Sequence, residues 1–283
     1  LWKKGSNTFQ GGRSPVLLHS VMAAALESFS CLLPGQIWKA VPAQDDRWVL
    51  EWRNADTRSV GFYVIRPVAP QEQEVIVSEK ETDWWMSLAG VGKETFFVHS
   101  YRNPDIPEPT DLLGYDLSAG TVKWVIPSGQ FIGISDGQAV VALKSGADTT
   151  LYYCGENDGK LGDVAPEEWP ESPLPWQEAQ IYRENNPYYG NLSGFLFNSL
   201  GVKPKGSIEY LDYGDRMAFS YYLYEANRLV QYVAVVNRLK DIEFNERIEA
   251  DLEKEGRSTF LEKNGWLFFI KEKRNFIGIN LAV

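Results

Sequence analysis

The chain has 283 residues, 44% of them hydrophobic and 23% charged, with a formal net charge of −10. This is globular composition, which excludes a disordered chain and an apolar run long enough to span a bilayer; no lysine and arginine stripe opposes the acidic field, so nucleic acid is excluded as a partner. The aromatic content (Trp 10, Tyr 14, Phe 14) suits pleated, half-buried surfaces and points to a β protein.

Residues 1–35 read as a helical N-terminal segment. Ser14 stands as the cap, Pro15 falls in the first turn, and Ala23, Ala24, Ala25 and Leu26 continue the helix. Val16 to Leu33 follows Lys3, Lys4 and Arg13 and imitates a signal peptide, but Glu27 interrupts it, and Ser28, Phe29 and Ser30 before Cys31 make a poor lipidation box. Cys31 and Cys154 lie far apart without C-x-x-C spacing and read as buried thiols, with a single bridge between them left open. The cytoplasm is therefore preferred over the periplasm or export.

From Gln36 to the end at residue 283, short apolar runs alternate with Gly, Asn, Asp and Pro clusters, the pattern of many strands joined by tight turns. Trp48 to Trp52 and Gly61 to Ile65 flank the turn Asn54 to Thr57 and form a hairpin. Strands follow at Val75 to Val77, Trp84 to Leu88, Thr95 to Val98, Leu112 to Leu117, Val122 to Ile126, Phe131 to Ile134, Ala139 to Leu143 and Leu151 to Cys154. On the strand expected at Trp84, that residue and Trp85 point to opposite faces, and both pack only if each face of the sheet is covered.

Pro166 to Trp176 is proline-rich and marks a long exposed connection, the best internal boundary. An inserted helix runs from near Tyr188 to Leu200, because Pro187 opens it and Leu192, Phe195 and Leu196 recur at helical spacing. Strands resume at Ser207 to Leu211, Met217 to Tyr224 and Leu229 to Val236. Asn245 to Lys254 fits a helix or a strand equally. The chain ends in a meander: Thr259 to Leu261, Trp266 to Ile270 and Phe276 to Leu281.

Chemical motifs give way to turns on inspection. Gly133-Ile134-Ser135-Asp136-Gly137 matches G-x-S-x-G, yet a strand follows it, and the two histidines, His19 and His99, both precede the serine; it reads as a hairpin turn. Gly90 to Thr95 resembles the end of a phosphate loop, but Ser87 replaces the first glycine and Glu94 the magnesium-binding hydroxyl. Glu156 to Gly159 is out of register for a calcium loop. No metal and no cofactor is expected. The candidate ligand-binding residues are His99 at a strand end, Asp105, Glu108 and Asp111 in the loop Asn103 to Asp111, and Trp169 and Trp176 among prolines, where they offer a platform for a sugar ring or a protein partner. Paired carboxylates in that loop also suit glycoside cleavage when held at the right separation.

Gly114 to Trp124 joins a strand, an Asp116-to-Gly120 turn and a second strand closing on Trp124, and the turn returns at Gly159, about 39 residues on, near the roughly 40 to 50 residues of one propeller blade. This unit resembles the repeat of quinoprotein-type β-propellers, and the chain resembles an uncharacterised bacterial family of propeller-like proteins. The second copy, Tyr152 to Leu161, lacks the Asp and the Trp. The resemblance implies that glycine permits the turn, Asp116 holds backbone amides and Trp124 fills the space between blades. The expectation is an all-β chain: a small propeller of five to seven blades with a short N-terminal helix and one inserted helix, or else two packed antiparallel domains divided around Pro166 to Trp176. The expected function is non-catalytic binding or scaffolding of a protein or glycan; the alternative is a carbohydrate-active enzyme using the loop carboxylates.

Overall fold

The structure, a computed structural model, describes residues 26–67, 74–77, 84–101, 105, 108–135, 137–146, 148–166 and 176–282. The expected N-terminal helix and Trp169 lie outside these residues. In chain order the elements are β1 (Ser28–Leu32), β2 (Gln36–Pro42), β3 (Trp48–Asn54), β4 (Ser59–Arg66), β5 (Glu74–Val77), β6 (Met86–Val91), β7 (Thr95–Ser100), β8 (Asp111–Asp116), β9 (Val122–Pro127), β10 (Gly129–Ser135), β11 (Gln138–Ser145), β12 (Asp148–Cys154) and β13 (Leu161–Val164). Then come β14 (Gln177–Glu178), β15 (Gln180–Tyr182), α1 (Tyr189–Leu200), β16 (Lys205–Tyr213), β17 (Arg216–Glu225), β18 (Arg228–Asn237), β19 (Ile242–Leu252), β20 (Phe260–Lys263), β21 (Trp266–Lys271) and β22 (Asn275–Asn280).

The strands make five antiparallel sheets. The first is β2-β3-β4-β5, the second β6-β7-β8-β9, the third β10-β11-β12-β13, the fourth β15-β16-β17-β18-β19, and the fifth β14-β20-β21-β22-β1. The all-β expectation is met, with α1 as the one helix among the described residues. The 245–254 segment, open in the sequence, is strand β19. Trp84 and Trp85 sit in the turn before β6 rather than on a strand, so strand alternation does not set their faces.

Sheets buried on both sides lose the period-two pattern. Val140, Val141 and Ala142 on β11 and Val233 to Val236 on β18 are continuous buried runs; on β18 this is because Val233 and Val235 pack in one cluster and Ala234 and Val236 in another on the opposite face. Trp48 and Leu50 of the first sheet share a cluster with Phe29, Phe268 and Phe276 of the fifth. Val49, Phe62 and Val64 pack on Leu88, Phe96 and Tyr115 of the second, whose Phe97 and Trp124 meet Ala139 and Val141 of the third. Leu211 and Val233 of the fourth meet Phe260 and Leu267 of the fifth. The opposite face of the fourth sheet is covered by α1 through Leu192, Phe195 and Leu196.

Ser28–Leu32 corrects the reading of residues 1–35 as helical. Phe29 and Cys31 point into the cluster with Phe268 while Ser28, Ser30 and Leu32 face out, the alternation of a strand. A run rich in alanine just before it masked that period. This strand pairs with β22, Ser28 opposite Ile279 and Leu32 opposite Asn275, so a segment from the start of the described chain completes the sheet of its last strands. Both cysteines are free and buried.

The Asp116 turn behaves as its residue types dictate. Asp116 Oδ1 accepts the Ser118 and Ala119 amides at 2.8 and 2.7 Å, and these bonds lead the causes that hold its carboxyl below the ordinary aspartate range. Gly120 N–H bonds Asp116 O, and Asp116 N–H bonds Thr121 O; Gly159 to Gly155 and Gly155 to Lys160 repeat both bonds. Gly120 and Gly159 close these turns at φ +66° and +67°, a region where a side chain is strained. The second copy therefore keeps the turn without the aspartate.

Candidate functional site

A second repeated device lies on the first strand of three successive sheets. Trp38, Ala89 and Ile132 are each an extra bulge residue, between Ile37 and Lys39, Leu88 and Gly90, and Phe131 and Gly133. A bulge frees ladder groups that must find partners elsewhere. The amide just before each bulge donates to a neighbouring sheet: Ile37 to Lys273 O at 2.7 Å, Leu88 to Glu51 Oε2 at 2.7 Å and Phe131 to His99 Nε2 at 2.9 Å. The fourth sheet makes a similar bond without a bulge at the donor, with Glu209 of β16 accepting the Thr259 amide, just before β20, at 2.7 Å.

Glu51, His99 and Glu209 thus sit on the second strands of their sheets and reach the next sheet. Strand periodicity explains it, since Val49 and Glu51, Phe97 and His99, and Glu209 and Leu211 share faces at i and i+2, and Val49, Phe97 and Leu211 line the inter-sheet clusters. As a hydrogen-bond acceptor, the His99 imidazole is neutral and carries its proton on Nδ1. Burial, and then the charge of Lys39, lower its pKa to about 4. Burial pushes the Glu209 carboxyl up, opposed by its bond from Thr259.

The junction of the first and second sheets presents the most distinctive surface. Glu51, fully buried, holds Arg53 through a 2.7 Å ion pair and also accepts from Ser87 Oγ at 3.2 Å. The Arg53 guanidinium donates to Met86 O at 2.7 Å and Trp84 O at 3.3 Å. Lys39 Nζ donates to Leu88 O at 2.6 Å and Ser87 Oγ at 3.1 Å. With its rim satisfied this way, Arg53 Cζ lies 5.2 Å from the Trp38 ring centroid and 5.3 Å from that of Trp84, which is cation–π distance. Trp38 is 61% and neighbouring Trp85 42% exposed. The result is a fixed aromatic platform on a buried ionic base.

Among the described residues, those expected from sequence take separate places in the fold. His99 is an inter-sheet bond acceptor. Asp105 is exposed, Glu108 is exposed and paired with Lys144 at 2.7 Å, and Asp111 is buried at the start of β8. Trp176 is half-buried beside β14 on the fifth sheet. Sequence reasoning missed Trp38 and Arg53; the available signal was Glu51 and Arg53 two apart on a strand, opposite charges on one face.

The other motifs resolve as turns. Ser135, 1% exposed, precedes the connection to β11, a strand where a hydrolase needs a helix. The Lys93 and Glu94 amides of the phosphate-loop-like turn bind an internal anion, Glu156 of the third sheet, at 3.1 and 2.8 Å. Glu156 O also accepts Trp124 Nε1–H at 2.9 Å. Lys263 of β20, buried, donates to Ala43 O beyond β2. Burial lowers its pKa to about 8, against the pull of Asp45 and Asp46. Among the described residues no three His, Cys, Asp or Glu side chains converge as a metal site, and no helix is long and apolar enough to cross a membrane.

No curated protein matches the chain. Residues 41–124 match the model of a domain of unknown function, DUF4905. The matched stretch runs from the end of β2 to β9 and contains Glu51, Arg53, Trp84 and His99, while Trp38 and Lys39 lie just before it.

Proposed function

We propose that the five sheets are the blades of a five-bladed, quinoprotein-like propeller closed by β1, and that the protein is a non-catalytic binding module. Buried clusters between the fifth and first, first and second, second and third, and fourth and fifth sheets support a radial order. The repeated bulges on first strands and the bonds from each second strand to the following sheet support it too. In that arrangement α1 stands on the face of the fourth blade that turns toward the third.

The observation that carries the function is the exposed Trp38 ring laid against Arg53, whose charge is already met by Glu51 and two carbonyls. A rigid aromatic face with a satisfied cation beneath it offers stacking without reorganisation, which suits the apolar face of a sugar ring. Acid–base work needs titratable groups free to reach a substrate; Glu51, His99 and Glu209 are instead spent on backbone amides. Glu108 and Asp111 are a surface ion pair member and a buried strand residue, which supports binding over glycoside cleavage.

The test is a sugar panel read by thermal shift and calorimetry on wild type and Trp38→Ala. A saccharide that raises the wild-type melting temperature, as a ligand of the folded state must, but leaves Trp38→Ala unmoved is expected. A null panel together with a captured protein partner whose binding ignores Trp38 overturns the glycan platform. Turnover of a glycoside that Glu108→Gln abolishes overturns the non-catalytic reading.

A further inference from the structure

The fourth sheet carries a cleft of about 610 Å³ between the end of β15, the start of β16 and residues 253–257 after β19. Four cations line it, Arg183, Lys205, Lys254 and Arg257. Among the described residues none of the four side chains has an ion pair or hydrogen bond. Four unmatched cations around one cavity are notable in a chain of net charge −10.

Three carboxylates line the same cleft, Glu184, Glu253 and Glu255, and two of them go to backbone. Glu255 Oε2 accepts the Ser207 amide at 3.0 Å, and Glu184 Oε1 the Gly206 amide at 3.4 Å. Gly206 has φ +68°, and a Cβ there would lie 1.7 Å from Glu255 Oε1. Successive amides exposed around a left-handed residue form an anion-binding concavity, and the missing side chain is what lets a carboxylate approach. Ile181, Tyr224 and Leu229 supply an apolar wall, with Tyr224 64% exposed.

We propose that this cleft binds a small organic carboxylate, which takes the place of Glu255 on the Ser207 amide and of Glu184 on the weaker Gly206 bond and draws on the four cations, while its apolar body lies along Tyr224 and Leu229. The site is separate from the Trp38 platform and independent of the reading given to it. Glu255 then acts as an internal competitor: it seats in the ligand's place and sets the concentration at which the ligand enters.

The experiment is calorimetry of the full chain at low salt with hippurate, a carboxylate bearing an aromatic ring, and with inorganic phosphate. Expected are saturable hippurate binding weakened by added salt, weaker phosphate binding, at least a tenfold loss in Arg183→Gln/Arg257→Gln, a severalfold gain in Glu255→Gln, and no change in Trp38→Ala. Circular dichroism confirms folding of each variant, and Lys254→Gln, also exposed, replaces the double variant if that fails to fold. Absent hippurate binding, affinity indifferent to the arginines or lysine, phosphate binding as tight as hippurate, or Glu255→Gln weaker than wild type would each overturn the proposal.

Discussion

The Nε2 atom of His99 accepts the backbone amide of Phe131 at 2.9 Å, and the Phe97 and Phe131 rings stack beside this bond with centroids 4.5 Å apart. One side chain of the second sheet thereby satisfies the amide that the bulge of the third sheet sets free. Removing it leaves that amide without a partner, which costs about 1–3 kcal/mol. His99→Ala should lose that much stability in urea unfolding at pH 7, and His99→Gln, which retains an acceptor, should lose less.

The same bond fixes a pH window. The folded pKa is lowered from 6.5 to about 4, so below pH 6.5 the unfolded chain takes up a proton that the native imidazole refuses. His99 therefore contributes its full stability above pH 6.5 and loses it as pH falls toward 4, at no more than about 1.4 kcal/mol per pH unit. The difference in unfolding free energy between wild type and His99→Gln should shift across this window in favour of the variant. Parallel curves would show that the imidazole is not held neutral.

Glu51→Gln keeps the shape but removes the charge beneath Arg53. Leaving a buried partner uncompensated costs about 3–5 kcal/mol, and the half-buried guanidinium places the expected loss near the lower figure. Arg53→Met should show strong coupling to it in a double-mutant cycle, whereas two independent sites would simply add.

Trp38→Ala removes an exposed ring, so unfolding free energy should change by only about 0.5–1 kcal/mol, the worth of its cation–π contact at an exposed site. Ligand binding on the platform should vanish with it. Loss of binding accompanied by a large drop in stability would make Trp38 a packing residue instead.

Phe29→Ala probes the strand that completes the fifth sheet. Its ring is 2% exposed beside Phe268 and Phe276, and truncating such a phenylalanine costs about 3–5 kcal/mol. Thermal unfolding of this variant should begin earlier than that of wild type, and a shift within error would show that β1 is dispensable.

The hairpins were legible because their information is local: alternating apolar residues and an Asn54 or Asp116 whose side chain caps its own turn. The bonds between sheets were not. Glu51 meets Leu88 and Glu209 meets Thr259 across 37 and 50 residues, and no spacing rule relates such partners. His99 stands out in the sequence for its chemistry, but only the bulge at Ile132 explains why an acceptor belongs there. Ser28–Leu32 does not show as a strand in the sequence because five residues with two inward side chains carry too little period to outweigh the alanine run beside them.

The pairing of β1 with β22 has a consequence for biosynthesis. Ser28 meets Ile279, so a nascent chain carries a strand whose mate is made about 250 residues later, and topologies with such distant partners fold slowly. Until then Phe29 and Cys31 lack Phe268 and Phe276, the part of their cluster that the fifth sheet supplies, and the waiting strand is a template for the β22 strand of a finished neighbour. Intertwined dimers exchanging this one strand are therefore the misassembly to which the molecule is most exposed.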